Sequence, residues 1–165
     1  LKFINRQTNL AIQIESSLLE RMYEHGLAYY PDEIGGLLVG YYSEDSRTAV
    51  IIDIILPDKF VSTHYSFDRG SEGLEPILRE YYKRTPPLFY LGEWHTHPDG
   101  PVWPSRTDVK AMDSVSLHEL VYIDNPILLI IVVNREACQP GFFIRYNEKL
   151  IFLEKDTLYI DRSHL

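Results

Sequence analysis

His95 and His97 stand two residues apart in the segment Gly92-Glu93-Trp94-His95-Thr96-His97-Pro98. On an extended strand, residues i and i+2 point the same way. At about 3.3 Å per residue, their Cα atoms are roughly 6–7 Å apart, so two imidazoles can share one metal ion. Pro98 ends the strand, and ten residues separate His97 from Asp108. That is enough chain for a loop to bring back a third ligand. Two nitrogens and a carboxylate oxygen suit Zn²⁺ with one position open to water. Such a site makes water a usable nucleophile near neutral pH.

Each part also has an ordinary reading. A His-x-His pair occurs by chance. Ser105-Arg106-Thr107-Asp108 is a normal helix start, with Ser at the N-cap and an acid at N3. Both readings can hold together, because a helix N-terminus is a stiff mount for a hydroxyl and a carboxylate. The joint spacing favours chemistry. Metal-activated water also needs a base, and Glu33, Glu93, Asp53, Asp32 and Asp99 are the candidates. Glu33 stands at the mouth of the strand Ile34-Gly35-Gly36-Leu37-Leu38-Val39-Gly40. Glu93 shares the face of the histidines and could be a ligand, a partner of a ligand or a base.

The elements that must position these residues read as an α+β domain. Strands are expected at Leu10–Ile14, Ile34–Tyr42, Ala49–Leu56, Phe89–His97 and Ile127–Asn134. A closing hairpin is expected at Phe142–Tyr146 and Leu150–Leu153. Helices are expected at Ser16–Tyr29, Leu74–Arg84 and Ser105–Leu120, with Gly26 a blemish near the end of the first. Pro57–Gly73 shows no period, and a loop of that length is often functional. Residues 1–165 read as a single domain.

Composition narrows the function. The chain is 45% hydrophobic and 24% charged, which excludes a disordered chain. Twenty-four acids against 16 bases give a net charge of −8, with no basic motif to favour a nucleic-acid partner. Cys138 is the single cysteine, so an internal disulfide or a cysteine-rich zinc ribbon is excluded, and a reducing, cytoplasmic setting is expected. Cys138 itself reads as a half-buried thiol. The longest apolar run, Pro126–Val133, is core and too short to span a bilayer, which needs about 20 residues. No leader pattern is seen at the start, and no membrane partner is expected.

The sequence resembles the JAMM (JAB/MPN+) metallopeptidases. Their pattern is Glu ahead of a Gly-Leu-Leu-x-Gly strand, then His-Ser/Thr-His-Pro, six residues, Ser, two residues and Asp. Here it is filled by Glu33, Gly36-Leu37-Leu38-Val39-Gly40, His95-Thr96-His97-Pro98, Ser105 and Asp108. The resemblance implies a single MPN/JAB (cytidine-deaminase-like) domain with a mixed, mainly antiparallel curved sheet and flanking helices. It implies one Zn²⁺ per chain on His95, His97 and Asp108. It gives Glu33 the proton transfer from water to the leaving amine, and Ser105 a hydrogen bond to the oxyanion.

Gly92-Glu93-Trp94 replaces the Gly-Trp-Tyr usual in eukaryotic deubiquitinases and is similar to the stand-alone bacterial branch. That branch includes peptidases of CBASS anti-phage operons, which sever a cGAS-like nucleotidyltransferase from its targets beside E1–E2 machinery. The resemblance thus implies a protein substrate with an extended C-terminal tail, a nucleotidyltransferase or a ubiquitin-like or sulfur-carrier protein. An interaction scaffold is the non-enzymatic alternative. The tail is expected to add a strand at an exposed edge, with 60–73 as the candidate edge or lid. Phe67, Tyr65 and Trp103 are candidate substrate contacts, although aromatics pinning a loop to the core fit equally well for the first two. Trp94 faces away from the ligands and reads as core. His25, His64, His118 and His164 are assigned to surface or packing.

Overall fold

Ile127–Val133 is apolar at every position, the pattern of a strand covered on both faces. It lies centrally in an eight-stranded sheet. The computed structural model describes residues 1–70, 72–117 and 123–159. The elements are β1 (Lys2–Asn5), β2 (Leu10–Ile14), α1 (Ser16–Tyr29), β3 (Gly35–Tyr42), β4 (Thr48–Ile55), β5 (Val61–Thr63) and β6 (Ser66–Asp68). They continue with α2 (Leu74–Tyr82), β7 (Phe89–Pro98), α3 (Arg106–Ser116), β8 (Ile127–Val133), β9 (Cys138–Tyr146) and β10 (Lys149–Lys155). The expected continuation of α3 to Leu120 reaches residues outside those described, as do His118 and His164.

The strands run in the order β1-β10-β9-β8-β7-β3-β4-β2, and β2 returns to β1. The β2–β4 and β7–β8 pairs are parallel and the others antiparallel. The architecture is thus α+β, as expected, but the curved sheet closes into a barrel. Closure depends on β1, a strand too short to show a period. Its Phe3 packs on Phe142 with ring centroids 4.2 Å apart, which supplies from the tertiary structure what the local pattern lacks. The segment from Pro57 to Gly73 also holds more order than a loop, because β5 and β6 pair as a small separate hairpin. Among the described residues no helix is long and apolar enough to cross a membrane.

Side-chain alternation divides the layers. Leu129, Ile131 and Val133 of β8 join the large core with Leu18, Leu19 and Met22 of α1. Leu128 and Ile130 join Phe143 and Met112 under α3. Likewise Leu37 and Val39 meet Leu74 and Tyr81 of α2. In β7, Trp94 enters the α1 core. Glu93 and His95 lie beside Leu128 and Ile130 in register and so emerge on the side that carries α3. Trp94 is core, as its position in the alternation predicts, and its indole N–H has no hydrogen-bond partner among the described residues.

Gly26 is the point where α1 touches the sheet. A Cβ there would lie 2.8 Å from Val133 Cγ2 and 3.0 Å from Thr96 Cγ2. Both neighbours are β-branched and stiff, so the absence of a side chain is what lets the helix sit this close. Gly26→Ala is expected to destabilise the fold by about 1–3 kcal/mol through overpacking, read as a lower midpoint in thermal or denaturant unfolding. An unchanged midpoint would show that α1 can move outward freely.

Candidate functional site

His95 Nε2 and His97 Nε2 lie 3.0 Å apart. Asp108 Oδ1 is 3.3 Å from the first, and Asp108 Oδ2 is 3.6 Å from the second. Ligands about 2.0–2.1 Å from a tetrahedral zinc ion stand roughly 3.3 Å from one another. The two imidazole nitrogens and the nearer Asp108 oxygen come close to that spacing, and one ligand atom from each of the three residues lies within 4.8 Å of the others, so among the described residues they are the group of this kind that could hold an ion. The orientation agrees. His97 Nδ1 lies 2.8 Å from the Pro101 carbonyl; donating its N–H there leaves the Nε2 lone pair for a metal.

Asp108 reaches the histidines because of how α3 begins. Its backbone N–H donates to Ser105 Oγ at 3.2 Å, and its Oδ2 accepts the Ser105 N–H at 2.6 Å. This is a complete capping box, so the ordinary reading of Ser105-x-x-Asp108 and the chemical one hold together. The preceding loop is fastened at several points. Asp99 has a φ of +52°. Its N–H donates to the Val133 carbonyl at 2.9 Å, and its carboxylate accepts from Tyr30 Oη at 2.7 Å. Trp103 packs on Phe143 and Phe152 at centroid distances of 5.7 and 5.2 Å, yet remains 57% exposed. Farther along α3, Arg145 Nε donates to Asp113 Oδ1 at 2.9 Å and ties the helix to β9.

Glu33 enters from the other side. Gly35 pairs with His95, and a Cβ on Gly35 would lie 2.8 Å from His95 Cβ and 2.3 Å from the Trp94 carbonyl. Glycine here makes room for His95. Two residues earlier, Glu33 is only 9% exposed. Its N–H donates to the Thr63 carbonyl at 2.9 Å, and its carbonyl accepts from Ser62 Oγ. Burial raises the Glu33 pKa; the nearby His95 and His97 oppose that rise, and Asp108 adds to it.

Burial works against the charged forms of the ligands as well. Contacts with Asp108 and the Pro101 carbonyl outweigh it at His97, whose pKa is raised. Hydrogen bonds from His95, His97 and Ser105 outweigh it at Asp108, which stays far below the usual carboxylate range.

Three of the other candidate acids, Glu93, Asp53 and Asp99, have other partners. Glu93 Oε1 accepts from Arg69 Nε at 3.1 Å, Arg69 Nη2 at 2.5 Å and Tyr90 Oη at 3.2 Å. It binds the end of β6 to β7 and lies outside the ligand group. Asp53 accepts from Tyr81 Oη at 2.7 Å, and Asp99 holds its loop. Phe67 packs on Phe60, which packs on Tyr29, with centroids 5.6 and 5.7 Å apart. Tyr65, at the hairpin turn, is 85% exposed beside His64. The spacing rules did not single out the Glu93–Arg69–Tyr90 group, because Arg69 is distant in sequence; an acid on the histidine face was the one signal available.

The family described as prokaryotic homologs of the JAB domain matches residues 15–142, a span that includes Glu33, His95, His97, Ser105 and Asp108. The chain belongs to the prokaryotic JAB-domain family. This JAB domain is 37% identical over 121 residues to a CD-NTase/cGAS isopeptidase of Enterobacter hormaechei, covering 73% of the chain and 66% of that protein. It is 26% identical to a probable metalloprotease of Sinorhizobium fredii, covering 81% and 82%. A 28% match to the Caenorhabditis elegans 26S proteasome non-ATPase regulatory subunit 14 covers 65% of the chain and 34% of the subunit. The chain thus spans just under two-thirds of the first of these relatives and about a third of the last. The solution structure of a Desulfitobacterium hafniense protein shares the fold, with a TM-score of 0.63 at 20% identity, covering 87% of this chain and 90% of that one.

Protons compete with a metal for the histidine nitrogens. With the His97 pKa raised, zinc affinity is expected to fall as the pH drops through that range, by about tenfold per pH unit for each proton displaced. Asp108, held low, adds no competition in this window. Competition with a chromophoric chelator between pH 8 and pH 5 measures the slope, and a flat response would separate His97 from the metal.

Proposed function

We propose that this JAB domain is a zinc isopeptidase that cleaves the amide bond after the C-terminal residue of a protein conjugated to target lysines. The observation that carries the reading is the convergence of a buried carboxylate, Glu33, on a His-His-Asp set close enough to share one ion. A scaffold needs no such set. His95, His97 and Asp108 would hold the ion, and zinc bound there supplies Lewis-acid activation of water and of the scissile carbonyl.

The chain's own groups do the rest. Glu33 takes a proton from the attacking water and delivers it to the leaving lysine amine. Its raised pKa suits both halves of that exchange, since a carboxyl closer to neutrality both accepts and releases a proton readily. Ser105 keeps its N-cap role through a lone pair, so its O–H remains free to hydrogen-bond the developing oxyanion. Cleavage adds water across the amide, leaving a free carboxylate on the tail and a free amine on the lysine.

The substrate tail needs an open strand edge. Each strand of the closed barrel has neighbours on both sides, which leaves the β5–β6 hairpin, fastened beside Glu33, as the edge on offer among the described strands. Tyr65 stands outward for contact, Phe67 holds the hairpin to the body, and Trp103 faces solvent near Ser105. The name of the Enterobacter relative favours a cGAS-like nucleotidyltransferase as the conjugated protein. The reaction would then run in a bacterial cytoplasm, beside E1–E2 machinery, in an anti-phage CBASS setting. A ubiquitin-like or sulfur-carrier modifier is the second reading. It is favoured by the match to a yeast ubiquitin carboxyl-terminal hydrolase, 25% identical over 124 residues.

Glu33→Gln is expected to keep its zinc and lose about 10²–10⁴-fold in kcat. Near-normal turnover would sink the base assignment. Ser105→Ala should lose about 10²–10³-fold in kcat and, with its N-cap gone, about 1 kcal/mol of stability. Host lysate treated with wild type or Glu33→Gln identifies the substrate by mass spectrometry. Release of a nucleotidyltransferase C terminus by wild type alone supports the first reading, and release of a small ubiquitin-like protein replaces it with the second.

A further inference from the structure

Thr96 lies between the two histidines, yet its side chain points away from them. It is fully buried, and its Cγ2 faces Gly26 of α1. Because Gly35 pairs with His95, the next antiparallel partners would be Ile34 and Thr96. Half of that exchange is normal: the Thr96 N–H donates to the Ile34 carbonyl at 2.8 Å. The other half is diverted. The Ile34 N–H donates to Thr96 Oγ1 at 2.9 Å rather than to the Thr96 carbonyl. The chain leaves the barrel at this point, and the next N–H back, that of Glu33, goes to Thr63 of the hairpin.

A hydroxyl therefore stands where a ladder carbonyl would end the strand, and it determines the direction in which the chain departs toward Glu33. Its own orientation is fixed. Thr is stiff at χ1, and its methyl is held by α1 at the glycine that lets the helix approach. Without the hydroxyl, the buried Ile34 N–H would have no partner, and a buried donor tends to find one by moving the backbone. We propose that Thr96 is a positioning residue for Glu33: its hydroxyl, acting through the Ile34 N–H, holds the carboxylate in register with His95, His97 and Asp108. This rests on Glu33 being the proton carrier. One tripeptide then does two jobs, with the histidines holding the ion on one face and the threonine placing the base from the other.

The test compares full-length wild type, Thr96→Val, Thr96→Ala, Thr96→Ser and Glu33→Gln. Bound zinc is measured by atomic absorption, and amide exchange across residues 30–36 by mass spectrometry without substrate. Kinetics use an isopeptide-linked conjugate of the nucleotidyltransferase tail and a lysine peptide. Thr96→Val should keep one zinc, exchange its Ile34 and Glu33 amides at least tenfold faster, and lose about 10²-fold in kcat with KM unchanged, the scale of a small misplacement. Thr96→Ser should match wild type on all three readouts. Thr96→Ala leaves room for a water at the Ile34 N–H and should show the same kcat loss, which covers the case of a Val variant that does not fold.

Unchanged exchange in a folded Val or Ala variant overturns the proposal. So does loss of zinc, which would mean that the hydroxyl serves the ligands, and so does a Ser variant as impaired as Val. Full activity of Glu33→Gln would overturn the base assignment itself. An inactive Glu33→Gln beside a fully active Thr96→Val would overturn the positioning role alone. The exchange readout needs no substrate, so it decides the clamp even if the conjugate proves to be the wrong one.

Discussion

Gly35 of β3 lies opposite His95 of β7, and that register decides which side of the sheet each residue of the site occupies. A slip of one residue would turn both histidines into the α1 core and bring Trp94 and Thr96 out. The alternation prevents it. Trp94 fills the α1 core, while the Leu128 and Ile130 neighbours of Glu93 and His95 are buried under α3. Burial of large apolar groups on both faces thus fixes the placement of a few polar ones. Gly35 adds a local constraint, because any side chain there would meet the Trp94 carbonyl and His95.

The third member of the group is placed by a different kind of interaction. Asp108 is held by the polar end of α3, where the capping box satisfies backbone N–H groups that a helix start leaves open. The rest of the helix is seated by Met112 in its apolar cluster and by the Arg145–Asp113 ion pair. Local hydrogen bonding and distant packing meet at one carboxylate. That carboxylate also faces two imidazoles, which explains how it remains ionised although burial opposes it.

Glu33 and Glu93 show where spacing reached its limit. Both are candidate bases by position, Glu93 on the histidine face and Glu33 at the mouth of the neighbouring strand, and spacing does not choose between them. The structure binds Glu93 to Arg69 and Tyr90 and brings Glu33, two residues ahead of β3, near His95, His97 and Asp108. The pairing partner Arg69 is 24 residues away along the chain, and no local period reports such a contact. The β5–β6 hairpin leaves no period in the sequence for a related reason. Its strands have three residues each, too few to show alternation.

The His95, His97 and Asp108 grouping, the helix start that mounts Asp108 and most of the elements are legible in the sequence. These depend on neighbours within a few residues, where side-chain period and capping act directly. The helix Ser16–Tyr29 and the strand Leu10–Ile14 were legible to the residue. Tertiary structure alone decided the closure of the barrel by β1, the partner of Glu93, and the diversion of the Ile34 N–H to Thr96. Each of those depends on groups brought together from distant parts of the chain, with energies set by burial and hydrogen-bond geometry rather than by spacing.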